Sequence, residues 1–415
     1  MRKKLLIFSD CFTYSGSENV IENLMLSEEL NRLFDVQFLY TYNPDYDRRF
    51  KERANQFNID LSRSSSITVL NPDHAIYQYK LNRLKGVRKA ALFMKKWLLL
   101  LLRVSFISYF VNVFLLRKAF KKINPDILFI NNGGYPASLV CRLAVFAGKK
   151  AGVGRVVFNI NNMTAPVRRF YENYIDNYIK NNVDVFVTAS FAAQHSAVEV
   201  RNFPRDKFIR IPNTIFDEER LMVKTVPAVS DESAPILFGA VGLLTERKGF
   251  HVLLDAVSLL ISEYNFTRFM VQIIGDGEER KNLYNQVRKL GIERWVDFKG
   301  FQQKPLDFVK SFDVFVLSST KNEDFPYVII EAMLLSKPVI GTRVAGVPEQ
   351  VCDGSSGYVV PPNDAGELAQ AMLRFQDAEF AKQAGHNSFN KYINEFSYKK
   401  VVSIYTNMLS GLVRK

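Results

Sequence analysis

Cysteine and histidine are scarce in this chain of 415 residues. Its three cysteines, Cys11, Cys141 and Cys352, are scattered at spacings that fit neither a disulfide framework nor a metal cluster, which points to a reducing compartment. The four histidines are equally dispersed, so an imidazole-ligated metal centre has no motif to occupy. The dinucleotide fingerprint GxGxxG is missing; GDGEERKNL at 275–283 is a turn followed by a helix, with the wrong spacing. The apolar run in MRKKLLIFSDCF is too short for a secretory signal, and it reads as the first strand of an α/β domain. One long stretch has no acid: residues 74–125 hold twelve Lys or Arg and no Asp or Glu, so +12 of the net charge of +13 sits there. The remainder is near neutral, which excludes a surface built throughout for nucleic acid.

What is present suffices for two ordinary domains, with 47% apolar residues to fill their cores. Apolar strand-like runs alternate with helical stretches: KLLIFSD, VQFLYTY (36–42), DILFINN (126–132), RVVFNINN (155–162), DVFVTAS (184–190) and KFIRIPN (207–213). After VPAVSDESAP (226–235) a second series begins, with ILFGAVG (236–242), MVQIIGDG (270–277), WVDFKGF (295–301), VFVLSS (314–319) and PVIGTRV (338–344). Two βα series predict two mostly parallel sheets, with a ligand at the carboxyl ends of the strands. The chain ends in an amphipathic helix, FSYKKVVSIYTNMLSGLVRK, with no strand after it.

Within the basic stretch, WLLLLLRVSFISYFVNVFLL (97–116) is long enough to span a bilayer. Arg103, Ser105, Ser108 and Asn112 raise the cost of spanning, and basic residues flank both ends. We read 77–122 as helices lying in a membrane interface. Trp97 and Tyr109 would sit near headgroup level, with Lys95, Lys96, Arg117 and Lys118 on anionic lipid. A buried core helix with a basic outer face, or a true span, are the alternatives.

NEDFPYVIIEAM (322–333) carries the chemistry. Pro326 suits the first turn of a helix and disfavours helix before it, so Glu323 falls on a loop and Glu331 about one turn into a helix starting near Tyr327. Helix N-termini favour anions. Two acids there make sense if they bind hydroxyl groups beside an anion, as a nucleotide-sugar presents them. In GLLTERKGFHVLLDAV (242–257), Arg247 and Lys248 come just before a helix, where a guanidinium fork and an ammonium can hold a phosphate. Taken alone, ERKG also fits a solvated turn. In YSGSENVIENL (14–24), Gly16 falls at a strand-to-helix turn, with Ser17 as a plausible N-cap. AGVPEQVCDGSSGYVVPPND (345–364) reads mostly as scaffold, turns around a short helix.

Six pieces in order, VGLLTERKG, IIGDGEE, VDFKGF, EDFPYVIIE, AGVPE and DGSSGYVVPPND, resemble the retaining glycosyltransferases of family 4. The resemblance spans nearly the whole chain and is densest from Ile236 to Asp364. It implies the α/β GT-B fold: two facing Rossmann-like domains, a deep cleft between them and a C-terminal helix crossing back. Residues 1–214 would bind acceptor, 215–395 the nucleotide-sugar, and 396–415 would form that helix. By the same resemblance Glu323 faces the donor sugar and Glu331 the ribose. Backbone groups of Phe325, Tyr327 and Val328 would hold sugar and diphosphate, which Arg247 and Lys248 would neutralise. Gly242, Phe298 and Gly300 complete the donor side, the last two by the base, and Gly16 approaches the donor phosphate. Asn161, Asn162 and Ser17 fall on the acceptor side, Asn161 where many relatives place a sugar-contacting histidine.

The resemblance implies no metal and no cofactor, the donor being a substrate. The expected reaction moves a hexose-type sugar from a nucleotide-diphosphate sugar to a lipid-linked or oligosaccharide acceptor, for surface polysaccharide, on the cytoplasmic face of a membrane. Departures are Leu243 where many relatives have arginine, Thr214 after Asn213 where glycine is usual, and Asp324 and Pro326 in place of glycines. An inactive membrane-associated binding protein on this fold and a sugar-nucleotide epimerase are the competing readings.

Overall fold

The computed structural model describes residues 2–11, 16–70, 94, 104–168, 170–216 and 234–414. The chain divides into two units: Met1–Thr188 with Gln194–Ile209 and Val402–Lys415, and Ala189–Ala193 with Arg210–Val401.

The first unit is built on seven strands: β1 (Lys3–Ser9), β2 (Phe34–Thr41), β3 (Ser64–Ile67), β4 (Ile127–Tyr135), β5 (Arg155–Thr164), β6 (Val185–Thr188) and β7 (Phe208–Arg210). They lie in the order β3-β2-β1-β4-β5-β6-β7. The second unit has six: β8 (Ile236–Val241), β9 (Phe269–Ile274), β10 (Val296–Gly300), β11 (Val314–Leu317), β12 (Val339–Thr342) and β13 (Gly357–Val360), in the order β10-β9-β8-β11-β12-β13. Pairing is parallel in both sheets. Each order is that of a doubly wound sheet, reversing between β1 and β4 and between β8 and β11.

Helices cover both faces, which is why the strands are continuous apolar runs rather than alternating ones. Leu5 to Phe8 and Ile127 to Ile130 are wholly buried. One face of the second sheet packs Phe238, Val271 and Val314 with Leu253 and Val257, and the other packs Phe315 and Leu317 with Ile329, Ile330 and Met333. Each such side chain contributes about 1.5–3 kcal/mol on burial.

Two stretches differ from the sequence expectation. GYVV, within the segment read as turns, is β13, paired along its length with β12. The strand expected over 207–213 shortens to three residues, and Asn213, beyond its end, donates its side-chain amide to the Phe325 carbonyl at 2.7 Å.

Of the proposed membrane segment, 77–93 and 95–103 lie outside the described residues, with Lys95, Lys96, Trp97 and Arg103 among them. The helix Val104–Ile123 is described, and it buries one face. Ser108, Asn112, Leu116 and Phe120 repeat every four residues and point into the unit. Asn112 is satisfied there, exchanging two 2.8 Å hydrogen bonds with the backbone of Leu70. Tyr109 packs against Tyr171, their rings 6.3 Å apart. The opposite face leaves Ile107, Phe110 and Phe114 exposed, followed by exposed Arg117, Lys118, Lys121 and Lys122. No helix among the described residues is long and apolar enough to cross a membrane.

Candidate functional site

In an open parallel sheet a ligand crevice opens where the strand order reverses, at the carboxyl ends of the strands. In the second unit that point lies between β8 and β11. The chain leaving β8 passes Gly242 and makes a single turn, Glu246–Lys248, closed by Gly249. Gly249 has φ +66°, and a Cβ there would stand 1.9 Å from the carbonyl oxygen of Ser318, just past β11. Only glycine lets the two loops meet. They are stapled by Thr320 N–H to the Arg247 carbonyl at 2.8 Å and by Ser318 Oγ to the Lys248 carbonyl at 3.1 Å.

This brings three of the expected residues together. Arg247 Nη1 donates to Glu323 Oε1 at 2.6 Å, Lys248 Nζ bonds the same oxygen, and Ser319 Oγ donates to it at 3.3 Å. Glu323 and Lys248 are largely buried, while the Arg247 side chain is 38% exposed. Two cations share one carboxylate, leaving net positive charge. After Pro326, the helix Tyr327–Leu334 opens with no side-chain cap. The amides of Tyr327 and Val328 belong to the first turn of this helix, at its positive end. An anion is favoured at such a place on both counts. Glu331 lies half-buried on that helix.

Other expected residues have more structural roles. Phe325 is buried, edge-on to Phe396 with centroids 5.4 Å apart, so its side chain is core. Phe298 stacks on Tyr284 at 4.4 Å, and the Gly300 carbonyl accepts from Gly275 N–H at 2.9 Å. Gly242 sits beside Lys248; a Cβ there would stand 3.7 Å from the lysine Cδ and Cε.

Gly16, Ser17, Asn161 and Asn162 belong to the first unit. Ser17 precedes the helix Glu18–Leu26 but does not cap it. Its backbone is helical, and its hydroxyl donates instead to Glu18 Oε2 at 2.6 Å. Asn161 is held in an amide ladder: it donates to Asn131 Oδ1 at 2.8 Å and to the Asn132 carbonyl at 2.7 Å, and accepts from Asn159 at 2.9 Å. Asn162 Oδ1 accepts from Met163 N–H at 2.7 Å. These amides lie on β4 and β5, where Asn131 pairs with Ser9 at the end of β1, beside the first unit's own reversal of strand order. Among the described residues no group of three or more His, Cys, Asp or Glu is arranged to hold a metal ion.

Sequence reasoning missed the groups that fix the Glu323 loop: Ser319 close by, and Ser190, Arg210, Glu349 and Gln350 from far along the chain. Glu349 sits in AGVPE, read as scaffold. It accepts from Phe191 and Ala192 N–H, both at 3.0 Å, and from Arg210 Nε at 3.1 Å. No local pattern marks such partners.

The two parallel Rossmann-like sheets match solved structures of the GT-B fold. HepE of Anabaena, solved in complex with UDP, superposes with a TM-score of 0.74 at 20% identity, covering 98% of this chain and 100% of that one. Residues 227–392 match the family model described as Glycosyl transferases group 1. The lipopolysaccharide core biosynthesis glycosyltransferase LpsE of Rhizobium meliloti is 32% identical over 179 residues, 43% of this chain and 50% of LpsE. The amylovoran biosynthesis glycosyltransferase AmsK of Erwinia amylovora is 28% identical over 187 residues, 41% of this chain and 44% of AmsK. The chain thus spans half or less of the length of these relatives.

Proposed function

We propose that the protein is a retaining glycosyltransferase. It moves a hexose-type sugar from a nucleotide-diphosphate sugar to a lipid-linked or oligosaccharide acceptor during synthesis of a surface polysaccharide, on the cytoplasmic face of a membrane. The observation that carries this reading is the convergence of Arg247 and Lys248 on Glu323 where the second sheet reverses. The matched relatives that act in lipopolysaccharide and amylovoran biosynthesis support the polysaccharide part.

In this reading Arg247 and Lys248 take the donor diphosphate and stabilise it as it leaves, supplying charge that a divalent ion supplies elsewhere. The amides of Tyr327 and Val328 add to that hold. Glu331 binds the ribose, and Phe298 and Gly300 lie by the base. Glu323 orients the sugar and compensates charge at the anomeric carbon. The acceptor hydroxyl attacks from the face the diphosphate leaves, so the anomeric configuration is kept. Gly16, Ser17, Asn161 and Asn162 are assigned to the first unit's share of donor and acceptor binding. Exposed Ile107, Phe110 and Phe114, followed by Arg117, Lys118, Lys121 and Lys122, suit an anionic membrane surface.

A thermal-shift screen against UDP, GDP, ADP, CMP and their sugar conjugates tests the site. A selective rise with one nucleoside diphosphate is expected. A cooperative melt that none of them moves would overturn the reading. Once a donor is found, the anomeric proton of the product, followed by NMR, reports retention; an inverted product would refute that half.

A further inference from the structure

The loop at 322–326 is tied down residue by residue. The Asn322 carbonyl takes Arg247 at 3.3 Å, and Glu323 takes Arg247, Lys248 and Ser319. The Phe325 carbonyl takes Asn213, and the Pro326 carbonyl takes Gln350 at 3.2 Å. The remaining residue, Asp324, is 3% exposed. Ser190 Oγ donates to its Oδ1 and itself accepts from Ala193 N–H at 2.8 Å. Asp324 Oδ2 is buried with no hydrogen-bond partner. Gly346 closes tightly on this pair: a Cβ there would stand 2.2 Å from the Asp324 carbonyl oxygen and 2.7 Å from Ser190 Cβ.

The charged groups facing Asp324 are Glu349, Arg210 and Glu323. Arg210 is the only cation among these three, and its Nε is committed to Glu349. Arg247 and Lys248 are committed to Glu323. An ionised carboxylate with one bare buried oxygen, beside two other carboxylates, is costly, whereas the neutral acid is not. Burial, chiefly, raises this carboxyl from 3.8 to about 7. Glu349 and Glu323 add to the rise, and Ser190 and Arg210 oppose it.

We propose that Asp324 is a positioning residue that works as the neutral acid: held by Ser190, it sets the 322–326 loop so that Glu323 meets Arg247 and Lys248, and its ionisation loosens the loop and weakens the hold on a nucleoside diphosphate. This rests on reading the Arg247–Lys248–Glu323 cluster as a nucleoside-diphosphate site. Asp324→Asn keeps the shape and the acceptor for Ser190, and stays neutral at every pH.

Two measurements on the full chain test it. The first is hydrogen exchange of the peptide covering 320–328 without ligand, at about pH 6 and about pH 8.5, expressed as protection factors. The wild type is expected to lose protection several-fold at the higher pH. Asp324→Asn should hold its protection, and Asp324→Ala and Ser190→Ala should lack it at both. The second is calorimetric titration with UDP, or with whichever nucleoside diphosphate the screen selects. Wild-type affinity should fall about tenfold relative to Asp324→Asn across the same interval, a comparison that removes the ligand's own ionisation. Equal profiles for wild type and Asp324→Asn would overturn the proposal. If no nucleoside diphosphate binds at any pH, the reading of the site fails, and the exchange experiment still decides whether neutral Asp324 positions the loop.

Discussion

Glu323 engages both cations of the site and so holds them in place for a diphosphate. Glu323→Gln removes that hold and also the group proposed to face the sugar. The expected result is several-fold weaker UDP binding with loss of transfer, read by calorimetry and a product assay; a gain in UDP affinity would show that Glu323 instead competes with the diphosphate for the cations. Lys248→Ala removes the more buried cation. By analogy with loss of one oxyanion donor, turnover should fall by about 2–4 kcal/mol of barrier, roughly thirty- to a thousandfold. Unchanged kcat in the folded variant would end that assignment. Glu323, Arg247 and Lys248 were legible as residue types, but their convergence was not. Arg247 and Glu323 are 76 positions apart, and only the pairing of β8 with β11 brings them together.

Among the elements, the strand-loop-helix unit around NEDFPYVIIEAM was readable because proline, apolar runs and helix period act locally. β11, the loop and the helix from Tyr327 follow the expectation. The Ser17 cap was misread because the side chain of Glu18, one residue on, takes the hydroxyl. The turn at Gly249 allows a sharp test. Gly249→Ala forces a β-carbon into the Ser318 carbonyl at a φ that costs alanine about 1 kcal/mol or more, so the turn must move. A lower melting temperature and loss of UDP binding are expected together; retention of both would show that the two loops need not touch. For the helix Val104–Ile123, replacing exposed Ile107, Phe110 and Phe114 by serine should release the protein from anionic vesicles while leaving its melt intact, since none of the three is core. Binding that survives at physiological salt would place the membrane contact elsewhere.

For the whole molecule, the two units respond to acid in opposite directions. In the first, burial alone would raise Glu172, but the Arg168 amide and Arg201 outweigh it and hold the carboxyl below its usual 4.5. Arg201 is itself wholly buried, paired to Glu172 at 2.9 Å and to Asp176 at 2.8 Å. This stability is present above the unfolded-state pKa and is lost as pH falls through the folded one, below about 4.5. In the second unit burial raises Asp324, to about 7, and Asp313. For both, stability is greatest below the unfolded value and is given up as pH rises through the folded one, which for Asp324 means from about 4 to about 7. The Asp324 shift alone corresponds to about 4 kcal/mol. Acidifying from about pH 7.5 to about 5.5 should therefore strengthen hydrogen-exchange protection of β8 and β11 while that of β4 and β5 stays level. Parallel changes in both sheets would contradict this assignment.

The sequence by itself determined the two βα series, the location of the basic charge, and the residue types able to hold a diphosphate beside hydroxyls. These follow from periodicity, composition and short motifs, whose physics is local. Tertiary structure alone decided which residues meet. Parallel strands are joined by crossovers many residues long, so neighbours across β8 and β11 leave no trace in sequence spacing. The same long-range closure buried Asp324 between Ser190 and Gly346, turned Asn161 into a rung of an amide ladder, and gave Glu349 to the amides of Phe191 and Ala192. Burial and partner identity set the charge states on which a site depends, and both are properties of the packed chain.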